Sequence, residues 1–255
     1  MTRAPMVEPA GRSPWFETAF GPLYSEIYQH RDEDEAELAV AMMLSRGVLQ
    51  GPVLDIGCGT GRHLVPLQKE GVPGIGLDLS SHLLEEAATR APGVLVRGDM
   101  RQLPFREASF GSALSMFTTF GYFADAAENR RVLKEAARVV RPDGFLAIDY
   151  FNAVRTVADL APESTRFVGR YDVIERRTVA RDERGERLVK TIDVFEGSKR
   201  VDQLREEVRI YQPAELAEAI ASAGWTELVR LGDYQGHDFD EAVSPRLIIL
   251  ARRGG

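Results

Sequence analysis

Two rhythms in the chain predict an α/β fold with a β insertion. Between residues 48 and 165 short apolar runs alternate with helical stretches, which implies a doubly wound parallel sheet covered by helices on both faces. From Arg166 onward apolar and charged residues alternate instead, the mark of half-exposed antiparallel strands. A glycine-rich turn, Gly57-Cys58-Gly59-Thr60-Gly61, follows the first buried run and marks a ligand crevice at the carboxyl end of that strand. The expectation is a seven-stranded, mostly parallel sheet with an inserted three-stranded antiparallel meander.

Each element follows from local pattern. Residues 1–13 are rich in Pro, Gly and Arg and read as a loose tail. Aromatic residues then recur at Trp15, Phe16, Phe20, Tyr24 and Tyr28. A helix follows that opens on the acids of "RDEDE" and stops at Gly47. "GPVLDIG" is a buried strand and "RHLVPLQKEG" a helix with Pro66 tolerated in its first turn. "PGIGLDLS" is the second strand, and Ser80 or Ser81 caps the helix of "SHLLEEAATRA". "GVLVRGDM", "SFGSALSMF" and "FLAIDYF" supply strands three to five, with a helix before the last. The meander turns at "DERGE" and "EGSKR". Pro213 opens a further helix, and "WTELVRLGD" and "PRLIILARR" complete the sheet. The organisation expected is a tail and helical lid over 1–47, a ligand-binding domain over 48–165 and 213–255, and a β insertion over 166–212.

Composition narrows the function. The chain has 255 residues, with 32 Lys+Arg against 39 Asp+Glu and a net charge of −7. That balance argues against a nucleic-acid substrate, which needs a face of phosphate-neutralising cations. Cys58 is the one cysteine, so a disulfide within the chain and a cysteine-rich zinc site are both excluded. No run approaches the roughly 20 apolar residues of a membrane span, and the chain reads as cytoplasmic, with no membrane partner.

The glycine turn separates two cofactor classes. A dinucleotide site takes G-x-G-x-x-G, but Arg62 stands where its third glycine belongs. Asp55 lies just before the turn, where a carboxylate repels a diphosphate and suits an ammonium group. At these residues the chain resembles the class I S-adenosylmethionine-dependent methyltransferases, whose first motif, acid-x-G-x-G-x-G, is matched by Asp55, Gly57, Gly59 and Gly61. The resemblance spans about 15–252 and implies a Rossmann-like fold with S-adenosylmethionine as cofactor. It implies that Asp78 binds the ribose hydroxyls and that Asp99 receives the adenine amino group. Leu79 and Met100 are then expected to flank the adenine, and Ser115 to meet the amino-acid end. Tyr24 and Arg31 are expected to close over the cofactor from the N-terminal segment, Arg31 near where glycine N-methyltransferase keeps an arginine. By spacing alone Asp78 also suits NAD, so a nicotinamide-dependent oxidoreductase stays open, as does a non-catalytic cofactor-binding protein.

The acceptor is less determined. After strand four the chain has Ser115-Met116-Phe117-Thr118, unlike the Asn/Asp-Pro-Pro-aromatic of enzymes that methylate base amines. "SMFTTFGYF" and "CGTGRHL" are similar to bacterial sugar N-methyltransferases, which implies a small-molecule acceptor bearing an amine or hydroxyl. Tyr28, Tyr122 and His237 are the candidate acceptor-side residues. His30, His63 and His82 present no pattern that singles out a base, and no catalytic residue is assigned. The exposed edge of the meander offers a surface through which two copies could pair as a homodimer.

Overall fold

The computed structural model describes residues 14–28 and 33–255. A seven-stranded sheet forms the centre. Its strands are β1 (Val53–Ile56), β2 (Gly74–Asp78), β3 (Val94–Arg97), β4 (Phe110–Ser115), β5 (Val140–Phe151), β10 (Trp225–Leu231) and β11 (Arg246–Arg253), in the spatial order β10-β11-β5-β4-β1-β2-β3. Strands β1 to β5 run parallel, and β11 returns antiparallel between β5 and β10. Strand order reverses between β1 and β4, so the crevice outside their carboxyl ends is the topological switch point where such sheets bind ligands.

Both faces are covered, as the near-continuous burial of β1 and β4 requires. Helices α3 (Glu33–Ser45), α4 (Leu64–Lys69) and α5 (Ser81–Arg90) lie on one face. There Met42, Met43, Leu64 and Leu67 pack with Val53, Leu114 and Ile248. On the other face, α6 (Ala126–Val139) and α8 (Pro213–Ser222) bury Val132, Leu133, Leu216 and Ile220 against Leu54, Ile148 and Ile249. Fully burying each such side chain contributes roughly 1.5–3 kcal/mol. Ser80 caps α5, its Oγ accepting from Leu83 N at 3.2 Å. Pro213 sits in the first turn of α8, where no amide partner is needed.

The insertion has four strands rather than the expected three. After the short helix α7 (Ala153–Ala158) come β6 (Glu163–Val168), β7 (Tyr171–Asp182), β8 (Gly185–Glu196) and β9 (Lys199–Arg209), an antiparallel meander in sequence order. Strand β6 pairs with β7 from Glu163↔Arg176 to Val168↔Tyr171, so the sheet begins three residues before Arg166. The sequence hid it because a mostly exposed edge strand, whose first three residues are polar and exposed, carries little alternating pattern.

The N-terminal helices α1 (Trp15–Thr18) and α2 (Pro22–Ile27) are held between the two sheets. Tyr24 and Ile27 of α2 form one buried cluster with Tyr171, Val173, Ile192, Val194 and Leu204 of the insertion and Leu83 of α5. Arg166 Nη1 donates to Ile27 O (2.6 Å), and Ser80 Oγ donates to Phe20 O (2.7 Å). The insertion therefore clasps the lid over the carboxyl ends of β1, β2 and β4. Among the described residues no helix is long and apolar enough to cross a membrane.

Candidate functional site

Beneath that lid lies a cavity of about 570 Å³, walled by the glycine turn, the ends of β2 and β4, the start of α4 and the aromatic residues of α1 and α2. Gly57, Gly59 and Gly61 all have positive φ, at 69°, 55° and 77°. A side chain on Gly57 would overlap Thr119 Cγ2, which packs against that backbone. At Gly59 the space is open, so its bare backbone faces the cavity. Gly61 does not line the cavity; it lets α5 approach, with Ala87 Cβ 3.1 Å from where its own Cβ would stand.

Asp78, at the end of β2, is buried and lines the cavity. Its Oδ2 accepts from Gly59 N and its Oδ1 from Ser80 N, each at 2.9 Å, so the carboxylate fixes the glycine turn. Each oxygen keeps a second lone pair for a ligand hydroxyl. Burial pushes this carboxyl up from the ordinary range, against the pull of the Ser80 and Gly59 amides. Leu79, Asp99 and Met100 line the same wall. Asp99 is gripped by Arg101, whose Nη2 reaches Asp99 Oδ2 at 2.6 Å and whose backbone amide reaches Oδ1 at 2.8 Å. Burial alone would raise the Asp99 carboxyl, but the bonds from Arg101 outweigh it and hold it low. Arg101 also bonds Glu128 (2.5 Å) and lies 4.4 Å over the Phe123 ring, so it braces Asp99 in a fixed direction.

Asp55 and Ser115 are 1% and 3% exposed and lie behind the wall, with Asp55 Oδ2 and Ser115 Oγ lacking a hydrogen-bond partner among the described residues. Cys58 lines the cavity as an inert thiol, since burial and then the nearby Asp55 and Asp78 push its pKa far up. Phe20, Tyr24, Tyr28 and Tyr122 also line the cavity, with Phe20 stacked on Tyr122 at 5.9 Å and Tyr24 4.7 Å from Tyr28. Tyr28 Oη donates to Glu175 Oε1 (3.1 Å) and accepts from Lys190 Nζ (2.9 Å), tying the lid to the insertion. His237 is not brought here; it is exposed in the loop before β11, with Nδ1 2.8 Å from Asp233. His30 and Arg31 lie outside the described residues.

The conformation of one part of the site gave no sequence signal. The segment after β4 takes left-handed backbone at Phe117 and Thr118, with φ of 52° and 64°, which non-glycine residues rarely adopt. Asp149 of β5 holds it there, fully buried, accepting from Phe117 N (2.8 Å), Tyr234 Oη (2.6 Å) and Arg246 Nη2 (2.8 Å). Burial opposes the charge on Arg246, but Asp149 beside it outweighs this and raises its pKa. The Phe117 ring, part of the cavity wall, lies between Arg62 (3.3 Å) and Arg246 (5.1 Å).

The donor set fits S-adenosylmethionine. Carboxylate acceptors stand at Asp78 and Asp99, apolar flanks at Leu79 and Met100, and open backbone at Gly59. Behind the glycine turn is a buried carboxylate oxygen, at Asp55, without a donor among the described residues.

Residues 53–144 match the family model of a methyltransferase domain. The chain is 31% identical over 172 residues to the dTDP-3-amino-3,4,6-trideoxy-alpha-D-glucopyranose N,N-dimethyltransferase of Streptomyces venezuelae, covering 65% of this chain and 69% of that one. Across the first three curated relatives the matches cover between 51% and 69% of their length. Among solved structures, the CcbJ methyltransferase of Streptomyces caelestis superposes with a TM-score of 0.77 at 21% identity, over 94% of this chain and 99% of that one. An amino pentose methyltransferase of Micromonospora echinaspora, solved with S-adenosylmethionine bound, gives 0.65 at 23% identity, over 91% and 96%. The nicotinamide alternative falls away with these matches, and the chain belongs to the class I S-adenosylmethionine-dependent methyltransferases.

Proposed function

We propose that the protein methylates an amine on a small, sugar-like acceptor, and that the aromatic residues lining its cavity receive that acceptor. The observation that carries this reading is that one continuous cavity is lined both by acids, glycine backbone and Leu79/Met100 and by the aromatic side chains of Phe20, Tyr24, Tyr28 and Tyr122. Its volume of about 570 Å³ falls within the roughly 300–1,000 Å³ of small-molecule sites. The sugar N,N-dimethyltransferases among the relatives support an amine over a hydroxyl.

When bound, S-adenosylmethionine supplies a methyl group already activated on a sulfonium. Asp78 accepts from the ribose hydroxyls, Asp99 from the adenine amino group, and Leu79 and Met100 flank the ring. The backbone at Gly57 and Gly59 takes the amino-acid end, with Asp55 and Ser115 buried behind that wall, and Gly61 keeps the turn packed. Tyr24 and its neighbours on α2 exclude water, and Tyr28 and Tyr122 align the acceptor nitrogen for in-line attack. Holding two reactants this way removes up to ~7–11 kcal/mol of entropic and reorganisation barrier. A neutral amine attacks through its own lone pair and the product ammonium sheds a proton afterwards, so no buried general base is needed.

The test is a mass-spectrometric product assay with S-adenosylmethionine and a panel of amino sugars, simple amines and matched alcohols. Addition of one or two methyl groups to amines only is expected. Methylation of the alcohols alone would refute the amine assignment. Cofactor binding with no product across the panel would favour the non-catalytic reading.

A further inference from the structure

Asn129 is a fully buried polar residue on α6, in a row otherwise made of Val132, Leu133 and Ala136. Burying an amide among apolar neighbours is unfavourable unless its groups are hydrogen-bonded, and here both are. Asn129 Oδ1 accepts from Phe123 N (3.3 Å), and its Nδ2 donates to Phe123 O (2.6 Å) and Asp125 O (3.3 Å). One side chain thus closes on both backbone groups of a single residue in the segment between β4 and α6.

That segment brings Tyr122 and Phe123 to the cavity wall, and the two rings are secured differently. Phe123 lies 4.4 Å from the guanidinium of Arg101, which Asp99 and Glu128 hold in place. Among the described residues, the rings beside Tyr122 are Trp15 (4.8 Å) and Phe20 (5.9 Å), both from the N-terminal lid. Contacts borne by a lid that must part to admit a ligand cannot by themselves fix the direction of Tyr122. Its backbone neighbours can. On one side Arg209 N of β9 donates to Gly121 O (2.8 Å), and on the other Asn129 holds Phe123. Gly121, with φ of 96°, sits so close to β9 that a Cβ there would meet Val208 Cγ1 at 3.1 Å.

We propose that Asn129 is a positioning residue: by fixing the Phe123 backbone it aims Tyr122 at the acceptor, and so governs acceptor turnover rather than cofactor affinity. The inference rests on the reading of Tyr122 as an acceptor-side residue. A misplacement of about 1 Å in a group that aligns a substrate can cost on the order of a hundredfold in rate.

The test combines two assays on wild type, Asn129→Leu, Asn129→Asp, Tyr122→Leu and the double variant Asn129→Leu/Tyr122→Leu. One is kcat/KM on the amine methylated fastest in the product panel, and the other is calorimetric titration with S-adenosylhomocysteine. Asn129→Leu should lower kcat/KM at least about tenfold while changing S-adenosylhomocysteine affinity less than about twofold. Because Asn129 acts through Tyr122, the double variant should match Tyr122→Leu within about twofold. Asn129→Asp keeps the shape of the side chain and serves where Asn129→Leu does not fold. Protonated, its carboxyl accepts from Phe123 N and donates to Phe123 O; ionised, it sets a carboxylate against that carbonyl. Its kcat/KM relative to wild type should therefore fall between about pH 6 and about pH 8. Losses that multiply in the double variant, or an equal weakening of S-adenosylhomocysteine, would overturn the proposal by making Asn129 a packing residue. Wild-type kcat/KM in Asn129→Leu, or a pH-independent ratio in Asn129→Asp, would overturn it as well. A wild type that methylates no amine in the panel would remove the acceptor reading and this inference with it, and the wild-type assay alone reveals that.

Discussion

Phe117 and Thr118 show how a single carboxylate can hold a wall of the site. Two adjacent non-glycine residues in left-handed backbone cost on the order of 1–3 kcal/mol each, and such strain persists only where the surroundings impose it. Asp149 does so by accepting from the Phe117 amide while neutralising Arg246 and binding Tyr234. Replacing Asp149 with Ala leaves a largely buried guanidinium, a buried phenol and an amide without their acceptor. The expected loss is about 3–5 kcal/mol in urea unfolding, the usual cost of breaking one half of a buried pair. Asp149→Asn, which retains one acceptor oxygen, should lose less. A loss below about 1 kcal/mol for the alanine variant would show that the loop holds itself. None of this was legible in the sequence, because Tyr234 and Arg246 lie 85 and 97 residues from Asp149. Asp78 and Asp99 were legible, since each ends or follows a strand and stands in a motif of its own.

Among the elements, the insertion gains a purpose from what it touches. Its inner strands bury Tyr24 and Ile27 of α2, and Glu175 and Lys190 bind Tyr28 from the same side. Burial would raise the Glu175 carboxyl, but Lys190, Arg177 and Arg166 outweigh it and hold its pKa below the usual glutamate range. The sign follows from that depression. The contribution is complete above the unfolded glutamate value of about 4.3 and is lost as pH falls through the lower folded value. Trp15 on α1, edge-on to Tyr122 at 4.8 Å, reports the state of the lid. Acrylamide quenching of tryptophan should stay constant from pH 7 to about 5 and rise below about 4 as the lid loosens. Glu175→Gln should show the loosened quenching already at pH 7; quenching unchanged from wild type would mean that apolar packing alone holds the lid. The strand alternation from Arg166 revealed that a meander exists, but not that it reaches back to α2 or that β6 extends it. Contacts between segments so far apart in the chain leave no periodic trace, and a mostly exposed edge strand leaves little more.

For the molecule as a whole, the alternation of strands and helices determines the sheet, and the sheet determines where chemistry can occur. Reversal of strand order between β1 and β4 opens the crevice, the glycine turn lets a ligand approach its floor, and lid and insertion close it from above. The acceptor side was the least legible part, because Phe20, Tyr24, Tyr28 and Tyr122 come from in and around α2 and from the segment after β4 and converge only in the folded chain. All of this depends on the cavity being an S-adenosylmethionine site rather than a crevice of the same topology with another occupant. The most direct measurement is calorimetric titration of wild type and Asp78→Ala with S-adenosylhomocysteine, with NADH as the control. Binding of S-adenosylhomocysteine alone is expected, weakened at least about tenfold in Asp78→Ala, since the lost carboxylate carries the ribose contacts. Binding of NADH in its place, or an affinity for S-adenosylhomocysteine indifferent to Asp78, would contradict the account.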